Sequence, residues 1–494
     1  MIFLLLAILA VVAVGYFIYK KTHAASAIFV VGVLLLMIAA ATGRIEHSAA
    51  DIESSGNAFY DELLIVESLF KSRFAGTGMA IMVLFGFVGY MRHIGADAKT
   101  VVALSAPLQK FHGSYWLVPI GFLVATLLSF VVPSASALSL LLVATLMPAL
   151  IAAGLTPLTV GAIIATASTI APSPLEAGLI QGADLTGMSV TEFTFGNVAK
   201  ATVPALVVIA FTHMWWQRRC DKKDLAKVGA GATAGAGADG ADGGGPGAAS
   251  GTASEAELAA AKNAESERRI REAVERAEGL PGFYALLPLL PLLLIIVSAL
   301  LNRFGVVSFE AGILPVTVIS LLVTAIIESI RLRDVNEAVD SVQHFFKGLG
   351  EGAAGVVSLI VAAAILVEGI TQMGVIEALT DLARNSSGAA VVMVLVFVLA
   401  TSVMALVTGS GVAPYFAFSE MVPGIAAESA VSAPQMLTSI WAASNTMRQA
   451  SPVNAAVLIV AGALDVNPID IVRRTLVPLL AGAVTAVICA LLFI

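Results

Sequence analysis

The sequence predicts an all-α polytopic membrane protein built from two inverted-topology repeats, each with a re-entrant helical hairpin and a broken transmembrane helix. Three observations lead there. The 494 residues are 58% hydrophobic and 12% charged, with a mean hydropathy of +0.94, a balance found in membrane proteins rather than soluble domains. Long apolar windows recur from end to end. The same order of tips, prolines and polar interruptions stands on both sides of a Gly/Ala-rich central segment.

Taken in order, the apolar windows fall at 2–19, 26–42, 75–92, 116–132, 138–154, 158–185, 196–216, 283–303, 310–330, 352–373, 388–406, 412–428, 434–464 and 475–494. Each is read against the roughly 20 residues that cross a bilayer. The first is expected to stay in the protein, because Lys20 and Lys21 follow the apolar run, whereas a signal peptide carries its charge in front. Lys and Arg gather at 20–21, 92–110, 331–347 and 473–474, and most densely in WWQRRCDKKDLAK (215–227) and ERRIREAVER (267–276). The positive-inside rule assigns these to the cytoplasm. The acidic loop 43–74 and the stretch 184–198 then fall outside, and both termini come out periplasmic. Cys220 and Cys489 lie in segments too different to imply a bridge or a metal site.

This organisation gives a first membrane repeat over 1–216 (hairpin 116–154, broken helix 158–185), a cytoplasmic linker over 217–281, and a second repeat over 282–494 (hairpin 388–428, broken helix 434–464). The linker's Gly/Ala tract cannot bury enough apolar area to fold and reads as a flexible tether, followed by a solvated, mixed-charge helix. The two repeats are punctuated alike. PSASALSLLLVATLMP (133–148) precedes the break TASTIAPSPLE (166–176), and VTGSGVAPYFAFSEMVP (407–423) precedes the break ASNTMRQASPVN (443–454). If each tip turns the chain back, the first hairpin enters and leaves from inside and the second from outside, in agreement with the charges. Inverted repeats of this kind place a substrate at the midplane between discontinuous helices.

The breaks carry the chemistry. Ser173-Pro174 and Ser451-Pro452 read as N-cap and first residue of half-helices. Ser134, Ser136, Thr408 and Ser410 stand in the same role at the tips, where Gly409 and Gly411 permit close backbone approach. Four helix N-termini then converge, and their free N–H groups and dipoles suit an anion. Freed carbonyls together with Ser168, Thr169, Ser444, Asn445 and Thr446 offer a place for a coupling cation such as Na+. Arg448 is suited to pair bidentately with a carboxylate; neutralising helix C-terminal carbonyls is its other reading. Glu176 occupies the place that Asn454 holds in the second repeat. It is either a group that takes up a proton and couples it to transport, or a side chain packed against a hydroxyl. No HExxH motif or histidine cluster supports an intramembrane enzyme, no continuous polar stripe supports a channel, and no cofactor or nucleic-acid partner is expected.

The segments GYMRHIGAD (89–97), PSASALSLLLVATLMP, TGSGVAPYFAFSEMVP and ASNTMRQASPVNAAV resemble the anaerobic C4-dicarboxylate uptake carriers of type C, within the ion-transporter superfamily. The resemblance covers nearly the whole chain outside 228–280. It implies a homodimeric elevator-type carrier of the bacterial inner membrane that moves succinate, fumarate, malate or aspartate by exchange or by proton- or sodium-coupled transport. A carrier of amino acids or other carboxylates from the same superfamily is the alternative. The family's hairpin and broken-helix positions carry over onto Ser134, Ser136, Thr408, Ser410, Ser444, Asn445 and Thr446. The first break lacks the asparagine that the second has, so the two sides of the site differ chemically.

Overall fold

The computed structural model describes residues 2–20, 22–43, 52–105, 114–234, 272, 274–275, 277–375, 389–427 and 429–494. Among the described residues the regular elements are all helical, and nine helices, counted through their π turns, are long and apolar enough to cross a membrane. The first half contains α1 (Ile2–Tyr19), α2 (Ala24–Thr42), α3 (Ala58–Arg73), α4 (Met79–Ile94), α5 (Ala96–Ser105), α6 (Leu117–Leu128), α7 (Ala135–Ala152), α8 (Pro157–Ala165), α9 (Ala177–Thr186) and α10 (Ala199–Ala234). The second contains α11 (Leu290–Arg303), α12 (Ile313–Leu332), α13 (Val335–Ser341), α14 (Gln343–Gly352), α15 (Ser358–Gln372), α16 (Ala389–Thr408), α17 (Val412–Ser419), α18 (Val422–Ala426), α19 (Ala433–Arg448), α20 (Ala455–Ala463) and α21 (Pro468–Phe493). Residues 229–234 of the central Gly/Ala tract form the end of α10, and the tract from 235 onward lies outside the described residues.

Two elements differ from the hydropathy reading. Residues 58–73, read as part of an external loop, form α3. Asn57 caps it by accepting from the N–H groups of Phe59 and Tyr60, and it runs into α4 through a π turn at Phe74–Gly78. Asp61, Glu62, Glu67, Lys71 and Arg73 lower its hydropathy without stopping the helix: Asp61 accepts from the Ser54 hydroxyl and Ser55 N–H, Glu62 from Gln372, and Lys71 and Arg73 pair with Glu67 and Glu420. Helix α10, in turn, continues past 216 to Ala234, and Gln217 and Asp221, assigned by sequence to the linker, are buried.

The second half has the counterpart of the first kinked rod, with α14 joined to α15 through a π turn at Ala353–Val357. The two π turns touch: a Cβ at Gly78 would stand 2.8 Å from Val357 Cγ1. Farther along, α4 and α14 cross at near backbone contact, where a Cβ at Gly348 would run into the Phe85 carbonyl oxygen. Such small-residue crossings are how helices associate where no hydrophobic drive exists between them and lipid. A similar contact joins the last helices of the two halves, α10 and α21, with Gly482 against Ile209. On the opposite side of α21, Leu480, Val484, Ile488 and Leu492 are exposed at four-residue spacing, and Leu395, Leu399 and Val403 form a matching stripe on α16. Apolar stripes of this kind suit contact with lipid.

Candidate functional site

Helices α8 and α9 are collinear in sequence but separated by the irregular segment 166–176, and α19 and α20 by 449–454. The helix starts lie three residues beyond the Ser-Pro pairs. Glu176 caps α9, its Oε2 accepting from Leu179 N–H at 2.9 Å, and Asn454 caps α20, its Oδ1 accepting from the N–H groups of Ala456 and Val457. Ser173 and Ser451, expected as the caps, instead accept from Leu175 and Val453 N–H within the break turns. A carboxylate or amide reaches two or three residues forward as readily as a hydroxyl does, and each pair of prolines and serines is spent on the turn before it.

The second break also begins later than its polar run implies. Ser444, Asn445 and Thr446 are buried within α19. Thr446 donates back to the Ala442 carbonyl at 2.8 Å and Asn445 to the Trp441 carbonyl at 3.0 Å, so the helix absorbs them without opening. Ser444 donates across to the Gly411 carbonyl at 2.5 Å, and Asn454 Nδ2 donates to the Gly409 carbonyl at 2.8 Å. The second tip is therefore fastened by two hydrogen bonds to its own backbone, one from α19 and one from the second break. Gly409 has φ +68°, and a Cβ there would stand 2.8 Å from Asn454 N, so the position demands glycine twice over. At this tip Thr408 Oγ1 accepts from Ser410 N–H, and Ser410 Oγ accepts from Ala413 N–H. At the first tip Ser134 caps α7 and shares a hydrogen bond with Ser136.

A cavity of about 130 Å³ lies where these pieces meet. It holds about ten water-sized spheres at ~10–15 Å³ each, the scale of a small organic ion. Its walls come from the first tip (129–133), the first break (Ser168, Thr169, Ser173, Glu176), Val412 beside the second tip, Trp441, Asn445 and Arg448 of α19, and Phe85 of α4. Ser134 and Ser136 line a neighbouring space of about 250 Å³ with Arg92 and Glu351, on the other side of Pro133. Thr408, Gly409, Ser410, Ser444, Thr446, Ser451 and Asn454 are not among the cavity walls; they pack behind them.

Arg448 is the cation of this cavity. Its Nη2 donates to the Ser168 carbonyl at 2.8 Å, and Gln449 Nε2 donates to the same oxygen. Its Nε is buried without a protein partner, as is the hydroxyl of Thr169. Glu176 lines the same cavity and accepts from Trp441 Nε1–H at 2.9 Å. An unpaired guanidinium N–H, an unpaired hydroxyl and an indole ring in a small enclosed space are fitted to a carboxylate-bearing ligand with a short apolar body.

Behind the first break stands a polar row that no motif in the sequence marks. His213, Gln217 and Asp221 recur every four residues on α10 and are all buried. Asp221 accepts from Arg474 Nη1 at 2.6 Å and from the hydroxyls of Tyr115, Thr156 and Thr159. Burial, together with the Asp221 carboxylate, pushes the Tyr115 phenol up to about 12, so it stays a donor. The four-residue polar spacing is the available signal, and it is masked in the sequence by the lysines and arginines of 215–227, which read as cytoplasmic charge.

These features define a polytopic membrane protein with a small, cation-bearing cavity enclosed by two interrupted helices. Residues 3–494 match the family model of the C4-dicarboxylate anaerobic carrier, DcuC. The chain is 30% identical to the anaerobic C4-dicarboxylate transporter DcuC of Escherichia coli strain K12 and to that of Shigella flexneri, over 99% of its own length and 96% of theirs. It belongs to the DcuC family, a family of transporters and not of enzymes, for which no cofactor is expected. Among the described residues no group of three or more His, Cys, Asp or Glu is placed to hold a metal ion.

Proposed function

We propose that the protein is a secondary active carrier of C4-dicarboxylates such as succinate, fumarate, malate or aspartate, working by exchange or by proton- or sodium-coupled transport in the bacterial inner membrane. The observation that carries this is Arg448: a guanidinium with a spare buried N–H, at the seam between the two breaks, in a cavity of dicarboxylate scale within a chain of the DcuC family. One carboxylate of the substrate pairs with Arg448 and takes the Thr169 hydroxyl, and its short carbon chain lies along Trp441 and Phe85. Glu176, across the same cavity, competes with the substrate for Arg448 when ionised and stops competing once it binds a proton, which links substrate release to proton movement. Ser168, Thr169 and the free carbonyls of the first break are the alternative seat for Na+.

In this reading 1–216 and 282–494 are inverted repeats joined by a segment over 217–281 that first extends α10, with Gln217 and Asp221 buried, and then runs on in the cytoplasm. The breaks and hairpins move as one body against the kinked rods α3–α4 and α14–α15, as in an elevator, with a second copy completing a homodimer and both termini in the periplasm. Ser134, Ser136, Thr408, Gly409, Ser410, Gly411, Ser444, Asn445, Thr446, Ser451 and Asn454 shape the tips and breaks that enclose the substrate, with Ser173 on the cavity wall. The test is uptake of labelled succinate into proteoliposomes loaded with unlabelled dicarboxylate, with a proton or sodium gradient imposed in turn. Saturable uptake that fumarate and malate compete for is expected. Uptake that amino acids or monocarboxylates block and dicarboxylates do not would overturn the substrate class.

A further inference from the structure

The corner at Thr166–Ser168 is held from both halves of the chain. From the second half, Arg448 and Gln449 both donate to the Ser168 carbonyl. From the first half, His213 of α10 reaches Thr166, its Nε2 standing 3.1 Å from the Thr166 hydroxyl. The direction of that bond follows from a residue two links away. Arg474 has donors only, and its Nη1 stands 3.1 Å from Gln217 Oε1, so the oxygen of the Gln217 amide faces Arg474. The Gln217 NH2 group then donates to the Arg474 carbonyl at 2.9 Å and to His213 Nδ1 at 3.2 Å. Nδ1 accepts, so a neutral His213 carries its hydrogen on Nε2 and donates it to Thr166. Thr166 passes its own hydrogen to the Ala162 or Ile163 carbonyl in the last turn of α8. Every link is buried, and the chain of donors runs one way only, from the Arg474 guanidinium to the end of α8.

We propose that His213 is a positioning residue for the substrate cavity: by donating Nε2–H to Thr166 it fixes the corner whose Ser168 carbonyl aims the Arg448 guanidinium. The imidazole never touches the cavity, since it does not line it. It acts through Thr166, Ser168 and Arg448 in turn. This rests on the reading of that cavity as the substrate site.

The experiment compares His213→Gln with His213→Asn. Glutamine places an amide N–H near the Nε2 position and keeps the bond to Thr166; asparagine reaches only the Nδ1 position and loses it. Two measurements are made on full-length protein. Amide hydrogen exchange is followed across 166–169, where the Thr166 and Ala167 N–H groups bond to the Ile163 and Ile164 carbonyls. Dicarboxylate uptake is separated into KM and maximal rate. His213→Asn is expected to speed exchange at the corner and to raise KM roughly two- to tenfold, the worth of one hydrogen bond, with the maximal rate little changed; His213→Gln restores both. Thr166→Val should reproduce the asparagine variant and Thr166→Ser the parent, which keeps the question decidable if either His213 variant misfolds. Equal exchange and equal KM in the asparagine and glutamine variants would overturn the proposal, as would a KM that rises only in proportion to a fall in melting temperature. Absence of dicarboxylate uptake by the parent would refute the carrier reading instead, and the exchange measurement would still decide whether His213 holds the corner.

Discussion

Replacing Arg448 with alanine separates what the guanidinium does for the protein from what it does for a ligand. Toward the protein, the variant loses the Nη2 hydrogen bond of 2.8 Å to the Ser168 carbonyl, a charge-assisted bond worth about 1.5–3 kcal/mol. That loss is softened because Gln449 still donates to the same oxygen. Toward a dicarboxylate, truncating one partner of a buried, hydrogen-bonded charge pair costs about 2–5 kcal/mol, which at 1.4 kcal/mol per tenfold is roughly 30-fold to a few thousandfold in affinity. Uptake into proteoliposomes should therefore show KM raised by at least about 30-fold, in protein that elutes as a single species and retains a cooperative melt. Arg448→Lys keeps the charge and loses the planar fork, so it should fall between the two. A KM for the alanine variant within about threefold of the parent, under one kcal/mol, would refute substrate pairing and leave Arg448 as a brace for the first break.

Glu176→Gln retains an oxygen that can accept from Leu179 N–H and Trp441 Nε1–H, so exchange of labelled for unlabelled substrate should persist, while acceleration by an imposed proton gradient disappears. An undiminished response to that gradient would transfer coupling to Na+ at the first break. Gly409→Ala forces a side chain into a left-handed backbone conformation at about 1–2 kcal/mol and into Asn454 at about 1–3 kcal/mol of overpacking. Amide exchange over 408–412 should rise at least about tenfold, and unchanged exchange would show that the tip is not docked as described. Deletion of 236–262 should leave the uptake rate within about twofold of the parent, as the Gly/Ala-rich composition leads one to expect; loss of uptake in a correctly inserted variant would give this segment a further role.

The interruptions of the membrane helices were legible in the sequence because a run such as SNTMRQASPVN has no other reason to stand among apolar residues. Where each half-helix begins was not. Ser-Pro is the common start signal, but Glu176 and Asn454 accept the N–H groups of the next turn, and that competition is settled by geometry three residues downstream. Helix α3 is hidden for a different reason: its polar groups find partners within the fold, Arg73 in Glu420 at 2.6 Å and Glu62 in Gln372, so a hydropathy window reads solvent where the protein supplies the partner. The central guanidinium was conspicuous as a lone charge in the second break. Its spare Nε, and the His213 bond behind it, depend on contacts between residues more than 40 and up to 280 positions apart, and no local pattern encodes those.

The crossing of α10 and α21 has a consequence for how the two halves stay together. With Gly482 seated on Ile209 and Arg474 buried between Asp221 and Asp224, the last helix of each half is the other's neighbour. Because the last helices hold each other directly, a single polypeptide delivers one copy of each to the same place at the same time. Two separately translated halves, one ending after α10 and one starting before α11, would need only to meet in the same bilayer to find the same interface.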